Sequence, residues 1–222
     1  MTVSYRFVVV ATLFVTCLIT ANIIIVKQIS IGNLVLPAAI IIFPLSYIFG
    51  DILTEVYGFQ QARRIIWLGF LCNLVAVGAI WIGKLLPPAQ VFEAQQAYER
   101  ILGSTPRFLV ASFVAYLAGE FANSFVLAKM KVKTKGRWLW MRTIGSTLVG
   151  QGVDTLIVLS IAFLGVLPPS VLGIMILSHW LLKTVYEVLA TPFTYIVVNY
   201  LKKKEGIDVY DYTTNFNPLH MV

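Results

Sequence analysis

Six apolar stretches account for nearly the whole chain: residues 7–28, 34–57, 63–86, 107–128, 143–166 and 170–200. Each is long enough to cross a hydrocarbon core of about 30 Å as a helix of about 20 residues. Lipid offers no partner to a free backbone N–H or C=O, so apolar runs of this length predict helices. The expected fold is an all-α integral membrane protein, with a single six-helix transmembrane domain over 1–200 and a polar cytoplasmic tail over 201–222. So little chain is left that a soluble catalytic domain has no room to form. Composition agrees: 59% of the 222 residues are hydrophobic and 12% charged, against about 45–50% and about 25% in soluble domains.

The positive charge, formally +7, is gathered in short clusters between the apolar runs. That is the pattern of topology signals and not of a nucleic-acid-binding face. An even number of spans puts both termini on one side. Arg6, Arg63, Arg64, the stretch from Lys129 to Arg142 and Lys202 to Lys204 fall on that side, and only Lys27, Lys84, Arg100 and Arg107 on the other. Lysine and arginine concentrate on the cytoplasmic side, so both termini are expected there. The basic loop at 129–142 reads as a headgroup anchor, with Trp138 and Trp140 in the aromatic belt. Pro44 and Gly50 interrupt the second segment and Pro192 the sixth, which makes all three hinge candidates. The stretch 87–107 contains a short amphipathic piece, for which lying on the membrane interface and capping a cavity are both open.

Polar groups inside these segments carry the functional signal, because a charge in hydrocarbon costs about 2.5–3.5 kcal/mol on insertion scales and demands a partner or a role. Asp51 and Glu55 end the second segment. Tyr116, Glu120 and Asn123 share one face of the fourth, Gln151 and Asp154 one face of the fifth, and His179, Lys183 and Glu187 one face of the sixth. Asn22 and Asn73 add amides in the first and third. Asp51 and Glu55 have a ready partner in Arg63 and Arg64, and Lys183 and Glu187 in each other. The surplus of carboxylates leaves three ligand classes open: protons or metal ions, an organic cation, or a neutral heterocycle. For the last, one carboxylate can accept two parallel donors from a guanine-type edge, an amide can meet the carbonyl, and Tyr47, Tyr57, Tyr116 or Trp180 can stack on the ring.

Other chemistries find no support. "GAIWIGKL" at 78–85 places Leu85 where a phosphate-binding loop needs Ser or Thr, within an apolar helix. Two cysteines and two histidines lie at no metal-ligand spacing, so no metal, cofactor or enzyme is expected. Small residues at Ala111, Ala115, Gly119, Ser146 and Gly150 read as helix contacts.

"FPLSYIFGDILTEVYGFQQARRII", "ASFVAYLAGEFANSFV", "GQGVDTLIVLSIAF" and "LLKTVYEVLATPFTYIVV", at 43–66, 111–126, 150–163 and 181–198, resemble the queuosine precursor transporters, also called the vitamin uptake transporter family. The resemblance covers most of residues 20–200 and rests on Phe43-Pro44, Gly50-Asp51, Ala62-Arg63-Arg64 and Asp154-Thr155 in their order. It implies a bacterial inner (plasma) membrane importer of 7-cyano-7-deazaguanine and 7-aminomethyl-7-deazaguanine for tRNA queuosine salvage. By motif position it implies Asp51, Asp154 and Lys183 as substrate residues, with Glu120 and Gln151 behind them. Asn22, Tyr116, Asn123 and Glu187 complete the candidate set. Helix number and size also resemble the substrate-binding subunits of energy-coupling-factor vitamin transporters, which borrow a separate ATPase module. A non-transporting scaffold docked through the basic loop is the alternative from another class. The energy source and the oligomeric state, homo-oligomer included, stay open.

Overall fold

The computed structural model describes residues 4–31, 34–103 and 105–220. Its helices are α1 (Tyr5–Ile24), α2 (Phe43–Tyr57), α3 (Phe59–Leu85), α4 (Gln95–Leu102), α5 (Pro106–Lys133), α6 (Leu139–Phe163) and α7 (Pro169–Glu205), and two strands, β1 (Gln28–Ile31) and β2 (Leu34–Pro37), form an antiparallel pair. Among the described residues six helices are long and apolar enough to cross a membrane: α1, α2 with the 3-10 turn before it, α3, α5, α6 and α7. Local chemistry sets several starts. Ser4 accepts from Phe7 N at the head of α1 and Thr105 from Phe108 N at the head of α5. Pro44, Pro106 and Pro169 sit in first turns, where a missing N–H costs nothing.

α2 is the axis of the bundle, in contact with α1, α3, α5 and α7. It is buried on every face, including Ser46, Asp51, Thr54 and Glu55. A helix enclosed all round by protein keeps its polar groups away from lipid, which tolerates them least. By contrast α3 and α7 present Leu71, Val75, Ile82, Leu189 and Ile196 outward.

The closest helix seam joins α5 and α6 at Gly119 and Gly150. A methyl group on residue 150 would stand 2.5 Å from Asn123 Cβ, and one on residue 119 would stand 2.6 Å from the Tyr47 hydroxyl. Small residues let two backbones approach this far in lipid. Gly150→Ala should therefore force the helices apart and destabilise the protein by about 1–3 kcal/mol. The check is thermal unfolding in detergent, and an unchanged transition would show that the seam has slack.

The second apolar segment, expected as a spanning helix over 34–57 interrupted at Pro44 and Gly50, is broken earlier in the chain. Residues 34–37 are strand, Ala38–Ile41 a 3-10 turn, and the α-helix starts only at Phe43. Pro44 thus opens a helix and does not bend one, whereas Gly50 lies inside unbroken α2 and Pro192 inside unbroken α7. Non-helical backbone is tolerated at this depth because it borders a cavity: Gln28, Leu36 and Pro37 line one. Beside Pro192 the Thr191 hydroxyl donates to Glu187 O at 2.8 Å.

After α7 the chain folds back as a strap across the bundle end that carries both termini. Both Asp211 carboxylate oxygens accept from Phe59 N, at 3.1 and 3.2 Å, capping α3. Arg63 Nη1 donates to Asn215 O and Asn217 O, each at 2.8 Å, and Trp67 Nε1 to Pro218 O at 2.9 Å. Gly58, at φ +84°, takes a backbone conformation that side chains resist, and a Cβ there would meet Val209 at 2.6 Å. Arg63 is therefore committed to the strap and does not pair with Asp51 or Glu55.

Asp208 in the strap binds Lys131 and Lys202 at 2.5 and 2.9 Å. Burial pushes its carboxyl up, but the hydrogen bonds from the two lysines outweigh this and hold it below the usual carboxylate range. A lowered folded value means that this contribution to docking is complete above the free carboxylate's value, about 4, and is lost as pH falls through the lowered one. Fluorescence of Trp67 should hold steady from neutrality to that point and change below it. Asp208→Asn should weaken docking at neutral pH and remove the acid step, whereas an acid step unchanged in that variant would assign it to another group.

Candidate functional site

At the bundle end opposite the termini, α1, β1, β2, α2, α4, α5, α6 and α7 enclose a cavity of about 580 Å³. Arg100 and Ile101 of α4 line it together with Phe108, Phe163 and His179. Its inner end is built by Phe43, Tyr116, Asp154, Thr155 and Lys183. The depth follows from helix direction: α2, α5 and α7 run toward the termini end and α6 runs back, so Tyr116, Asp154 and Lys183 fall at one level.

Lys183 Nζ donates to Asp154 Oδ2 at 2.8 Å and to Thr155 Oγ1 at 3.3 Å. It also stands 4.4 Å from the Phe43 ring centroid, a cation–π contact. The intrahelical Lys183–Glu187 pair is thus replaced by a pair between helices, because Asp154 comes within reach across the α6–α7 interface. Tyr116 donates its hydroxyl to Ile66 O at 2.9 Å, which leaves the ring face for the cavity. Asn22 donates to Asn73 at 3.1 Å and accepts from Ser112 at 3.4 Å on the cavity wall.

Of the residues singled out by sequence, Asn22, Tyr116, Asp154 and Lys183 line this cavity. Asp51, Glu120, Asn123, Gln151 and Glu187 do not: they form a buried polar layer beneath its floor. Asn123 Nδ2 donates to Asp51 Oδ1 at 2.6 Å. Both oxygens of Glu120, both of Glu187, Oδ2 of Asp51, Oε1 of Gln151 and the Tyr47 hydroxyl have no hydrogen-bond partner among the described residues. Of the proposed stacking rings only Tyr116 reaches the cavity. Tyr47 is sealed below it, and the Trp180 indole N–H is spent on Leu148 O. Phe43, Phe108 and Phe163 are aromatics of the cavity that sequence reasoning did not name for stacking, although Phe43 is the first residue of the quoted motif.

Deeper still, Glu55 is wholly buried and holds three cations. Arg142 donates through Nη2 at 2.7 Å and Nε at 3.1 Å, Lys202 reaches Oε1 at 2.6 Å, and Lys131 Nζ lies 3.8 Å away. Lys131 also donates to Glu55 O and Val209 O, joining the cluster to the strap. Lys131 is only 1% exposed, so it is an interior clamp and no headgroup anchor. Glu55 pairs with these residues because α5, α6 and α7 all bring basic side chains to its level, whereas Arg63 faces away.

The arrangement has three layers along the bundle axis: an ion-paired cavity floor, an uncompensated carboxylate layer, and a multiply bridged lock beneath. It is the layout of a site that binds a small molecule from one side while the other side is shut. Comparison with known proteins bears on the same residues. The family described as "Putative vitamin uptake transporter" matches residues 37–197, which include every side chain of the three layers except Asn22, Lys202 and the strap. The chain belongs to this family. Two named relatives are similar to it in sequence. A Bacillus subtilis protein named "Probable queuosine precursor transporter" is 31% identical over 179 residues, covering 80% of this chain and 78% of its own. A Haemophilus influenzae protein of the same name is 27% identical over 122 residues, 54% of this chain and 49% of its own. No solved structure matches the chain. Membership in the vitamin uptake transporter family fits a cavity with one closed end, and the six helices make this a multi-pass membrane protein.

Proposed function

We propose that the protein is a transporter, not an enzyme, that carries queuosine precursors, namely 7-cyano-7-deazaguanine and its aminomethyl relative, into a bacterial cell across its plasma membrane. The relatives' names give the substrate class. The observation that carries the reading is the cavity floor, where an Asp154–Lys183 pair, with Lys183 over the Phe43 ring, shares the lining with Tyr116. A volume of about 580 Å³ lies in the range of small-molecule pockets and admits one bicyclic heterocycle with water.

In this reading Asp154 accepts the paired ring N–H and exocyclic NH₂ of the guanine-type edge. Lys183 then turns to the carbonyl oxygen, Asn22 supplies an amide at the wall, and Phe43 or Tyr116 stacks on the ring. An aminomethyl substituent adds a cation that a second carboxylate contact would favour. In this reading both termini lie in the cytoplasm, which the basic residues at the ends of α3, α5, α6 and α7 favour by the positive-inside rule; the cavity then opens outward and the Glu55 cluster is the inner lock. Alternating access then requires that lock to separate, with Gly50 and Pro192 on the moving helices.

The test is accumulation of labelled 7-cyano-7-deazaguanine, and queuosine in tRNA, in cells unable to make the precursor. Restored queuosine with the protein and none without it supports the reading. Absence of both, with the protein present in the membrane, overturns it and directs the search to the vitamin substrates of related subunits with a coexpressed ATPase module.

A further inference from the structure

We propose that Glu120 and Asp51 form a proton-binding site that couples substrate entry to inward proton flow; the proposal rests on the transporter reading above. The ion pairs of the core are distributed unevenly. Above, Asp154 is matched by Lys183; below, Glu55 is matched by Arg142, Lys202 and Lys131. Between them lie Asp51, Glu120 and Glu187, each at most 1% exposed, and no cation bridges any of the three among the described residues. An ionised carboxylate without partner or water is among the most costly groups to bury, and a bound proton removes that cost.

The surroundings of Glu120 are defined on each side. From α2, Gly50 approaches so closely that a Cβ there would lie 3.0 Å from Glu120 Oε2, with Phe14 of α1 behind it. The ionisable groups facing it are Asp154 from α6 and Tyr116 one turn away on α5, while Tyr47 and Asp51 face it from α2. Asp51 in turn faces Glu187 of α7 and Glu55 on its own helix. All of these are acids, and Lys183, which lines the cavity above, is engaged by Asp154.

A metal ion is a poorer fit than a proton. Among the described residues no three His, Cys, Asp or Glu side chains converge closely enough to hold one. A proton needs only one oxygen at a time, and stations exist on both sides. Asp154 bridges the cavity and Glu120, whereas Thr54 and Ser124, hydroxyl to hydroxyl at 3.1 Å, continue from the level of Asp51 toward Glu55. In each cycle one proton taken from the outer cavity binds Glu120, passes to Asp51 and is released past the opened Glu55 lock. No bond other than O–H is made or broken.

The test uses the full chain in proteoliposomes with labelled 7-cyano-7-deazaguanine. With one proton per substrate, each pH unit of inside-alkaline gradient should support about a tenfold accumulation. Glu120→Gln should abolish accumulation above equilibrium while exchange of labelled for unlabelled substrate continues, and Asp51→Asn should do the same. A measurement independent of any variant is proton movement itself. Wild-type vesicles loaded with substrate and diluted should acidify the medium as substrate leaves, read with a pH dye. Exchange without any response to the gradient, or accumulation driven by sodium instead, overturns the proton site and leaves the transporter reading standing. Gradient-driven accumulation persisting in Glu120→Gln also overturns it. Wild-type protein showing neither exchange nor accumulation of any tested precursor removes the transporter reading and this proposal with it.

Discussion

Asp154→Asn is expected to lower uptake by about 100-fold, because removing one partner of a desolvated charge pair costs about 2–5 kcal/mol and each 1.4 kcal/mol is a factor of ten. The substitution keeps shape and removes charge. It turns an acceptor of the Lys183 ammonium, now at 2.8 Å, into a group that can present N–H to N–H. It also removes the paired acceptors proposed for the guanine-type edge. The amount of protein in the membrane should stay near wild type, since removing one charge leaves α6 at least as apolar on average as before. The check is initial uptake rate at matched expression, with Lys183→Met and the double variant completing a cycle. If the two residues act as one unit, the double variant should be little worse than either single one. Uptake within about threefold of wild type, well inside the 100-fold expected, would remove Asp154 from the site.

Glu55→Gln should have the largest effect on stability. Glu55 is wholly buried and receives Arg142 in two hydrogen bonds as well as Lys202. Neutralising it strands the buried Arg142 and Lys131, at a cost of about 3–5 kcal/mol. For a chain of this size that corresponds to a melting temperature lower by about 10 °C, measured in detergent by loss of helical signal. The inner lock should loosen as well, so hydrogen exchange should rise in residues 206–218, which the lock holds through Lys131 and Asp208. An unchanged melting temperature would mean that Arg142 and the lysines find solvent or strap carbonyls without loss. The Arg142→Met, Glu55→Met double variant separates these cases, because replacing both members of a buried pair with apolar groups is often neutral.

Six helices of membrane-spanning length could be read from the sequence because lipid leaves an apolar run of about 20 residues few alternatives to a helix. The 34–57 segment shows the limit of that rule. Its first residues are as apolar as the rest, yet they form a strand and a 3-10 turn because they border a cavity, and nothing local in "LVLPAAII" encodes what lies opposite. The polar residues behaved in the same way. Spacing placed Tyr116 and Glu120 on one face of a helix, but it carries no depth: Tyr116 opens on the cavity and Glu120, one turn on, is sealed beneath it. Glu55 was assigned to Arg63 and Arg64 because they are near in sequence. Its partners Lys131, Arg142 and Lys202 lie 76, 87 and 147 residues away, and only the packing of α2 at the centre brings them together. Asp154 and Lys183 were both singled out, yet their pairing depended on an interface between helices that sequence alone did not describe.

The burial of Lys131 has a consequence for how the chain is made. While a nascent helix waits at the membrane, insertion is governed by the positive charges flanking it, and Lys131 and Arg142 stand among the charges around the loop between α5 and α6. In the finished molecule neither remains at the surface: both are 1% exposed and turned onto Glu55. With the proposed orientation the same cations act twice in time, first as orientation marks on an unassembled hairpin and later as structural counter-ions. Charge-neutralising changes in this loop therefore alter biogenesis and the inner lock together, and an effect on either cannot be assigned until orientation and folding have been measured separately.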